Sequence, residues 1–219
     1  MIKSEAFKLE SEMLPFACQG LPPAIGMNGP EWCSLTEPMI GNVFPDLLFG
    51  RLTTIQINAP TFTHVEASIL SLVHNELDFT VADVLSRIFL PTPTADRTFR
   101  TLEKKGALER TPTGAFRVCS NLPAAQMEIV AVELKLKRWR EACTQAASYL
   151  SFADRAYAVL DGNQLKVTET IVSAFRSAGV GLVLQRGSVF DVVVESTTAR
   201  QMTPNRVVAA QKLARHALA

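Results

Sequence analysis

The stretch that most constrains this chain is IVAVELKLK, Ile129 to Lys137. Its even positions, Val130, Val132, Leu134 and Leu136, are all apolar, whereas the odd positions pass from Ile129 and Ala131 to Glu133, Lys135 and Lys137. A period of two is that of a β-strand with one face on a core. From the opposite face Glu133 and Lys135 project side by side. An acid and an amine held two residues apart on a rigid strand are well placed to share a metal ion and a water. The plainer alternative is a half-exposed strand carrying a solvated charge pair.

A strand of this kind needs a core, and the composition supplies one. The chain has 219 residues, 47% of them hydrophobic and 20% charged, enough for one large or two small domains and unlike a disordered chain. No apolar run approaches the roughly 18 residues of a membrane span. The opening MIKSEAFKLESEM is charged and lacks an apolar signal region, so a cytoplasmic location without a membrane partner is expected. Cys18, Cys33, Cys119 and Cys143 lie far apart with no CxxC pair, which reads as free thiols rather than structural zinc. Charge is regional. Residues 1–60 carry three basic and six acidic side chains, whereas Arg97, Arg100, Lys104, Lys105, Arg110 and Arg117 fall close together. Arg200, Arg206, Lys212 and Arg215 follow in a C-terminal stretch without an acid. Local positive charge suits a nucleic-acid partner.

Ahead of the strand, Ile2, Ala6, Leu9, Met13, Phe16 and Ala17 recur at helical spacing. Of the two carboxylates on that helix, Glu10 projects nearer the apolar face and Glu12 farther from it, so Glu10 is the one that needs a partner. Gln19 to Gly29, rich in Gly and Pro, reads as loop. A strand around Trp32–Glu37, a turn at Gly41-Asn42 and a second strand starting near Asp46 come next. Asp46 comes after Pro45 and stands where Leu47, Leu48 and Phe49 enter a core. From Thr61 the period becomes helical. Val65, Ile69, Leu72 and Val73 make one helix, Thr80 caps a second, and PTPTADRTFRTLEKKGAL makes a third, stopped by Gly106. A ribbon turning at Thr113-Gly114 closes this region. Beyond the central strand, KRWREACTQAASYLSFA sets Gln145 and Tyr149 at i and i+4 on a helix. A strand, a helix ended by Gly179, a strand pair about Arg186-Gly187 and a basic helix from Thr203 or Asn205 complete the chain.

Three short helices and a basic hairpin within residues 61–120, with the LEKKGALER close of the third helix and the GAFRV return strand, resemble a winged helix-turn-helix. In that family the third helix enters the major groove and the wing touches phosphate. The resemblance implies that Thr94, Arg97, Thr98 and Arg100 face DNA and that Lys104, Lys105, Arg110 and Arg117 lie near its backbone. A winged helix used for protein contacts is the alternative.

The remaining pieces run in the order helix with Glu10, strands with Pro45-Asp46, strand with Glu133-x-Lys135, helix with Gln145-x-x-x-Tyr149, strand, helix. Over roughly residues 1–55 and 122–200 this order resembles the PD-(D/E)xK nuclease superfamily, the restriction-endonuclease-like fold. The long gap between Asp46 and Glu133 departs from the usual single turn, and an inserted winged helix would account for it. The resemblance implies an α/β fold, a mixed sheet flanked by helices. Residues 1–60 and 121–219 would form a discontinuous nuclease-like domain interrupted by residues 61–120.

The function implied by the resemblance is that of a metal-dependent DNA endonuclease. Asp46, Glu133 and Glu10 would hold Mg²⁺, with Mn²⁺ able to substitute. Lys135 would orient or deprotonate the attacking water and stabilise the phosphorane, and Gln145 would fix that lysine or a phosphate oxygen. Double-stranded DNA is the expected partner, and cutting both strands calls for two sites, hence a homodimer. The rival reading is a catalytically inactive DNA-binding regulator or assembly factor on a nuclease-derived scaffold. A glycosidase carboxylate pair leaves the lysine unused.

Overall fold

The computed structural model describes residues 6–29, 32–51, 60–119 and 122–217. In chain order a 3-10 turn (Glu10–Glu12) leads into α1 (Leu14–Ala24), β1 (Trp32–Thr36), β2 (Leu47–Arg51), α2 (His64–Val73), α3 (Val81–Leu85) and α4 (Thr92–Lys104). Then come β3 (Leu108–Arg110), β4 (Phe116–Val118), α5 (Pro123–Gln126), β5 (Glu128–Lys135), α6 (Trp139–Tyr149) and β6 (Arg155–Asp161). The chain ends with α7 (Glu169–Ala178), β7 (Gly181–Arg186), β8 (Val189–Val194) and α8 (Pro204–His216). Among the described residues no helix is long and apolar enough to cross a membrane.

The fold is α/β and divides into two compact units, Met1–Arg51 with Glu128–Gln201, and Leu52–Met127 with Met202–Ala219. The first holds a mixed six-stranded sheet flanked by helices, in the order β1-β2-β5-β6-β7-β8. β1, β2 and β5 form an antiparallel meander, β6 and β7 continue parallel to β5, and β8 closes the edge antiparallel to β7. The parallel step from β5 to β6 needs a crossover, and α6 provides it.

One face of this sheet buries Val130, Val132 and Leu134 of the central strand together with Leu47, Phe49, Tyr157 and Val183. Met13, Ala17, Leu21 and Ile25, spaced by four, cover it as a single helical stripe. That stripe carries α1 through residues that read as loop. Pro22 and Pro23 lie inside the helix and remove two backbone donors, yet the burial of Leu21 and Ile25 outweighs the loss. Gly20 permits the close approach, since a Cβ there would sit 2.4 Å from the Phe190 ring. Ile2, the expected start of the helix, lies outside the described residues.

The second unit packs α2, α3 and α4 with the β3-β4 hairpin around Phe79, Phe99 and Phe116, whose ring centroids lie 4.9 to 6.2 Å apart. Thr80 caps α3 by accepting from the Asp83 N–H, as expected. The C-terminal helix differs from expectation. α8 packs on α2 and α5 and belongs with this unit, not with Glu128–Gln201. Its Arg206 is fully buried, with Nε and Nη2 donating to the carbonyls of Ala124 and Met127 at 2.8 and 2.7 Å.

Candidate functional site

The polar face of β5 is not solvated. Glu133 is 2% exposed and Lys135 7%, because α6 packs over that side of β5 and β6. A buried charge needs partners, and each has them. Lys135 Nζ lies 2.6 Å from Glu133 Oε1 and 3.4 Å from Glu10 Oε2. The Tyr149 hydroxyl donates to Glu133 Oε2 at 2.6 Å, and its oxygen lies 3.3 Å from the Phe44 carbonyl oxygen. The β2-β5 ladder ends at the rung Leu47↔Val132. Asp46, the next residue outward, takes the Leu134 N–H with its side chain, Oδ2 accepting at 2.6 Å.

Glu10, Asp46, Glu133 and Lys135 are thus brought together from the 3-10 turn, the entry of β2 and the end of β5. Glu12 turns away, its carboxylate accepting from the N–H groups of Lys8 and Leu9 at 2.7 and 3.3 Å. Those two bonds hold its pKa below the usual carboxylate value. Between the two helix carboxylates the geometry selects Glu10. Gln145 does not join the cluster as expected. Its Oε1 is buried and has no hydrogen-bond partner, and among the described residues it makes no bond to Lys135. The residue one turn on, Tyr149, makes the contact instead. A participant that the sequence motifs did not include is Arg138, whose Nη2 lies 3.7 Å from Glu10 Oε1. Its only sequence signal is that it comes three residues after Lys135 at the exit of the strand.

Three acids therefore face two cations, one of which, Arg138, also pairs with Glu141 at 2.8 Å. Burial first, then the charges of Glu133 and Glu10, push the Asp46 carboxyl up to about 6 against the opposing Leu134 N–H and Lys135. Burial alone would lower Lys135, but the hydrogen bond and charge of Glu133, with Glu10 and Asp46, raise it overall. Lys135 is an ammonium at neutral pH. Burial and the bond to Glu133 likewise raise Tyr149 well above the phenol range, so it remains a donor.

Among the described residues no group of three or more His, Cys, Asp or Glu side chains is spaced to hold a metal ion. The donor chemistry still fits a hard divalent cation. Mg²⁺ binds through one or two carboxylates and keeps several waters, and Asp46 and Glu133 are such a pair. Burial, and after it the charges of Glu133 and Glu10, hold Asp46 up to about 6, and a cation would offset both by favouring the carboxylate.

In the second unit Arg97, Arg100 and Lys104 of α4 are exposed, and Thr94 and Thr98 are half-buried on the same helix. Lys105 is engaged within the unit. Its Nζ donates to both oxygens of the buried Glu66 at 2.8 and 2.7 Å and to the Thr61 carbonyl at 2.6 Å. Arg110 pairs with Glu103 at 3.1 Å and lies over the Phe116 ring, while Arg117 pairs with Asp78 at 2.9 Å. Of the eight side chains assigned to DNA, three arginine or lysine groups thus already have acidic partners.

No protein-family model matches the chain, and no curated protein matches it. A solved structure of a protein of unknown function from Silicibacter pomeroyi is similar, at 14% identity and a TM-score of 0.41, covering 91% of this chain and 82% of that one.

Proposed function

We propose that the chain is a metal-dependent phosphodiesterase that cuts DNA, on a restriction-endonuclease-like sheet of the PD-(D/E)xK kind carrying an inserted winged-helix unit. The observation that carries this reading is the convergence of Asp46, Glu133 and Lys135, with Lys135 Nζ 2.6 Å from Glu133 and Asp46 anchored on the N–H between them. The meander β1-β2-β5 with its parallel crossover to β6 supports the nuclease-like scaffold. The three helices and hairpin of the second unit, with Arg97, Arg100 and Lys104 exposed on α4, support the DNA-facing role.

Asp46 and Glu133 would hold Mg²⁺ or Mn²⁺, with Glu10 at the edge of the shell. The cation, when bound, supplies a water acidic enough to act near neutral pH and a counter-charge for the leaving oxygen. The chain's own groups do the rest. Lys135, raised and charged, neutralises negative charge growing on the phosphoryl oxygens and donates to the attacking water, which makes electrostatic stabilisation its role rather than proton abstraction. Tyr149 holds Glu133 in one orientation. Arg138 and Lys135 together hold Glu10.

The test incubates the protein with supercoiled plasmid, linear duplex and single-stranded DNA in Mg²⁺, Mn²⁺ or EDTA, beside Lys135→Ala and Lys135→Met, the latter keeping the buried stem. Metal-dependent cutting lost in both variants is expected. Cutting that survives in a folded Lys135 variant would refute the assignment. A second reading, the non-catalytic DNA-binding regulator, is favoured by one observation: both Glu133 oxygens already have partners, in Lys135 and Tyr149. It predicts no cutting in any metal and a salt-sensitive gel shift.

A further inference from the structure

The hairpin that delivers Asp46 runs on past β1 and β2, with Glu37 in the left-handed region at φ 47°. Thr36 pairs with Leu47, the Glu37 N–H reaches the Asp46 carbonyl at 3.0 Å, and Ile40 and Val43 close the tip as an isolated bridge with reciprocal bonds of 2.9 and 3.1 Å. Met39 and Phe44 directly flank that tip bridge on its two sides. Pro38, Ile40 and Pro45 are buried and Val43 is half-buried, whereas Met39 is 55% and Phe44 59% exposed. The inner residues hold the tip, so the fold does not need the outer pair to be large and apolar.

The pair also has a fixed place. Phe44 lies two residues before Asp46, and its carbonyl oxygen is 3.3 Å from the Tyr149 hydroxyl that donates to Glu133. The Phe44 backbone therefore borders the acid–lysine cluster, and its ring and the Met39 thioether are exposed on the same hairpin tip. Arg138 reaches Glu10 at 3.7 Å and pairs with Glu141 at 2.8 Å, and its chain neighbours Lys137 and Arg140 are exposed. An apolar, aromatic surface next to cations matches a base joined to phosphates. In an intact duplex the base faces are stacked inside the helix, and only an unpaired nucleotide offers one.

We infer that Met39 and Phe44 form a stacking platform for an unpaired nucleobase beside the scissile phosphate. The preferred substrate is then nucleic acid that is single-stranded at the cut, such as a free strand, a flap or a frayed end, in place of the intact duplex expected from the sequence. This rests on the phosphodiesterase reading.

The test uses the full chain and single-stranded oligonucleotides carrying 2-aminopurine, titrated in EDTA so that nothing is cut. Wild type and Phe44→Trp should quench the probe and Phe44→Ala should not, with the melting temperature unchanged because the ring is exposed. In Mg²⁺, Phe44→Ala should raise KM on single-stranded DNA by on the order of tenfold more than on duplex. Quenching by wild type that persists in Phe44→Ala, or an equal loss on both substrates, would overturn the platform while leaving the phosphodiesterase standing. Absence of cutting by wild type on every substrate would remove the phosphodiesterase, and the quench would still decide the platform. Self-association lost in Phe44→Ala, with no quench in wild type, would make the pair a contact between copies and overturn the inference.

Discussion

The two ends of β5 carry charge clusters of opposite character. At the start of the strand Glu128 accepts from Arg155 at 2.8 Å and from Arg51 at 3.1 Å, and Arg155 also donates to the Ile25 carbonyl. One acid there meets two cations, all partly exposed. At the other end three acids meet Lys135 and Arg138, and the central pair is buried. The first arrangement carries one cation in excess, but its groups keep contact with water and tie strands together. The second takes its excess carboxylate out of water, and that burial first, then the neighbouring acids, raises Asp46. A charge cluster by itself says little about chemistry; an unbalanced, desolvated one is where a perturbed acid is found.

The solvated end has its own task. Arg51 and Glu128 are register partners on β2 and β5, and residues 52–127 of the second unit lie between them in sequence. The chain leaves the sheet and returns to it on the same rung. A large insertion at that point leaves the register of β2 and β5 intact.

The largest contrast between the two ends should be in cleavage. Lys135→Met should lower kcat on plasmid by on the order of a thousandfold, whereas Glu128→Gln should leave it unchanged. Equal losses would erase the distinction. Next comes Tyr149→Phe, which strips the donor from a buried carboxylate oxygen and should destabilise the fold by about 1–3 kcal/mol in chemical denaturation.

Asp46→Asn sharpens the comparison through pH. The folded-state pKa of Asp46 is raised above its unfolded value, so the group destabilises the fold increasingly as pH climbs from about 4 and fully above about 6. The asparagine variant should gain melting temperature over wild type across that window and hold a constant lead above it. A gain that shrinks with rising pH would mean that Asp46 is stabilised as the anion. The smallest effect is at the solvated end, where Glu128→Ala should cost about 1 kcal/mol, since its pairs are partly screened by water.

Much of the sheet was legible because its signals are local. The period of two in Val130, Val132 and Leu134 identified the central strand, and Thr80 and Gly179 marked helix ends where they occur. The burial of the opposite face was not legible, because Ala131, Glu133 and Lys135 do not announce that α6 will cover them. Gln19 to Ala24 read as loop because proline is a local signal, while the four-residue stripe that carries α1 through them gains its energy from a sheet distant in sequence. The carboxylate of Glu10 was legible from its helical projection. Its contact with Arg138, the bond from Tyr149 to Glu133, and the pairing of Lys105 with Glu66 were not, since each joins separate elements. Nor does the pattern of α8 say which core its apolar side will meet.

The most direct test of the central claim is a calorimetric titration of the wild-type protein with Mn²⁺ at pH 7.5, beside Asp46→Asn and Glu128→Gln. If the buried, acidic end of β5 is a metal-dependent catalytic centre, wild type and Glu128→Gln bind the ion alike and Asp46→Asn loses it. Affinity should also rise with pH through about 6, as Asp46 gives up its proton. No heat of binding in wild type, or binding that Asp46→Asn retains in full, would contradict the account.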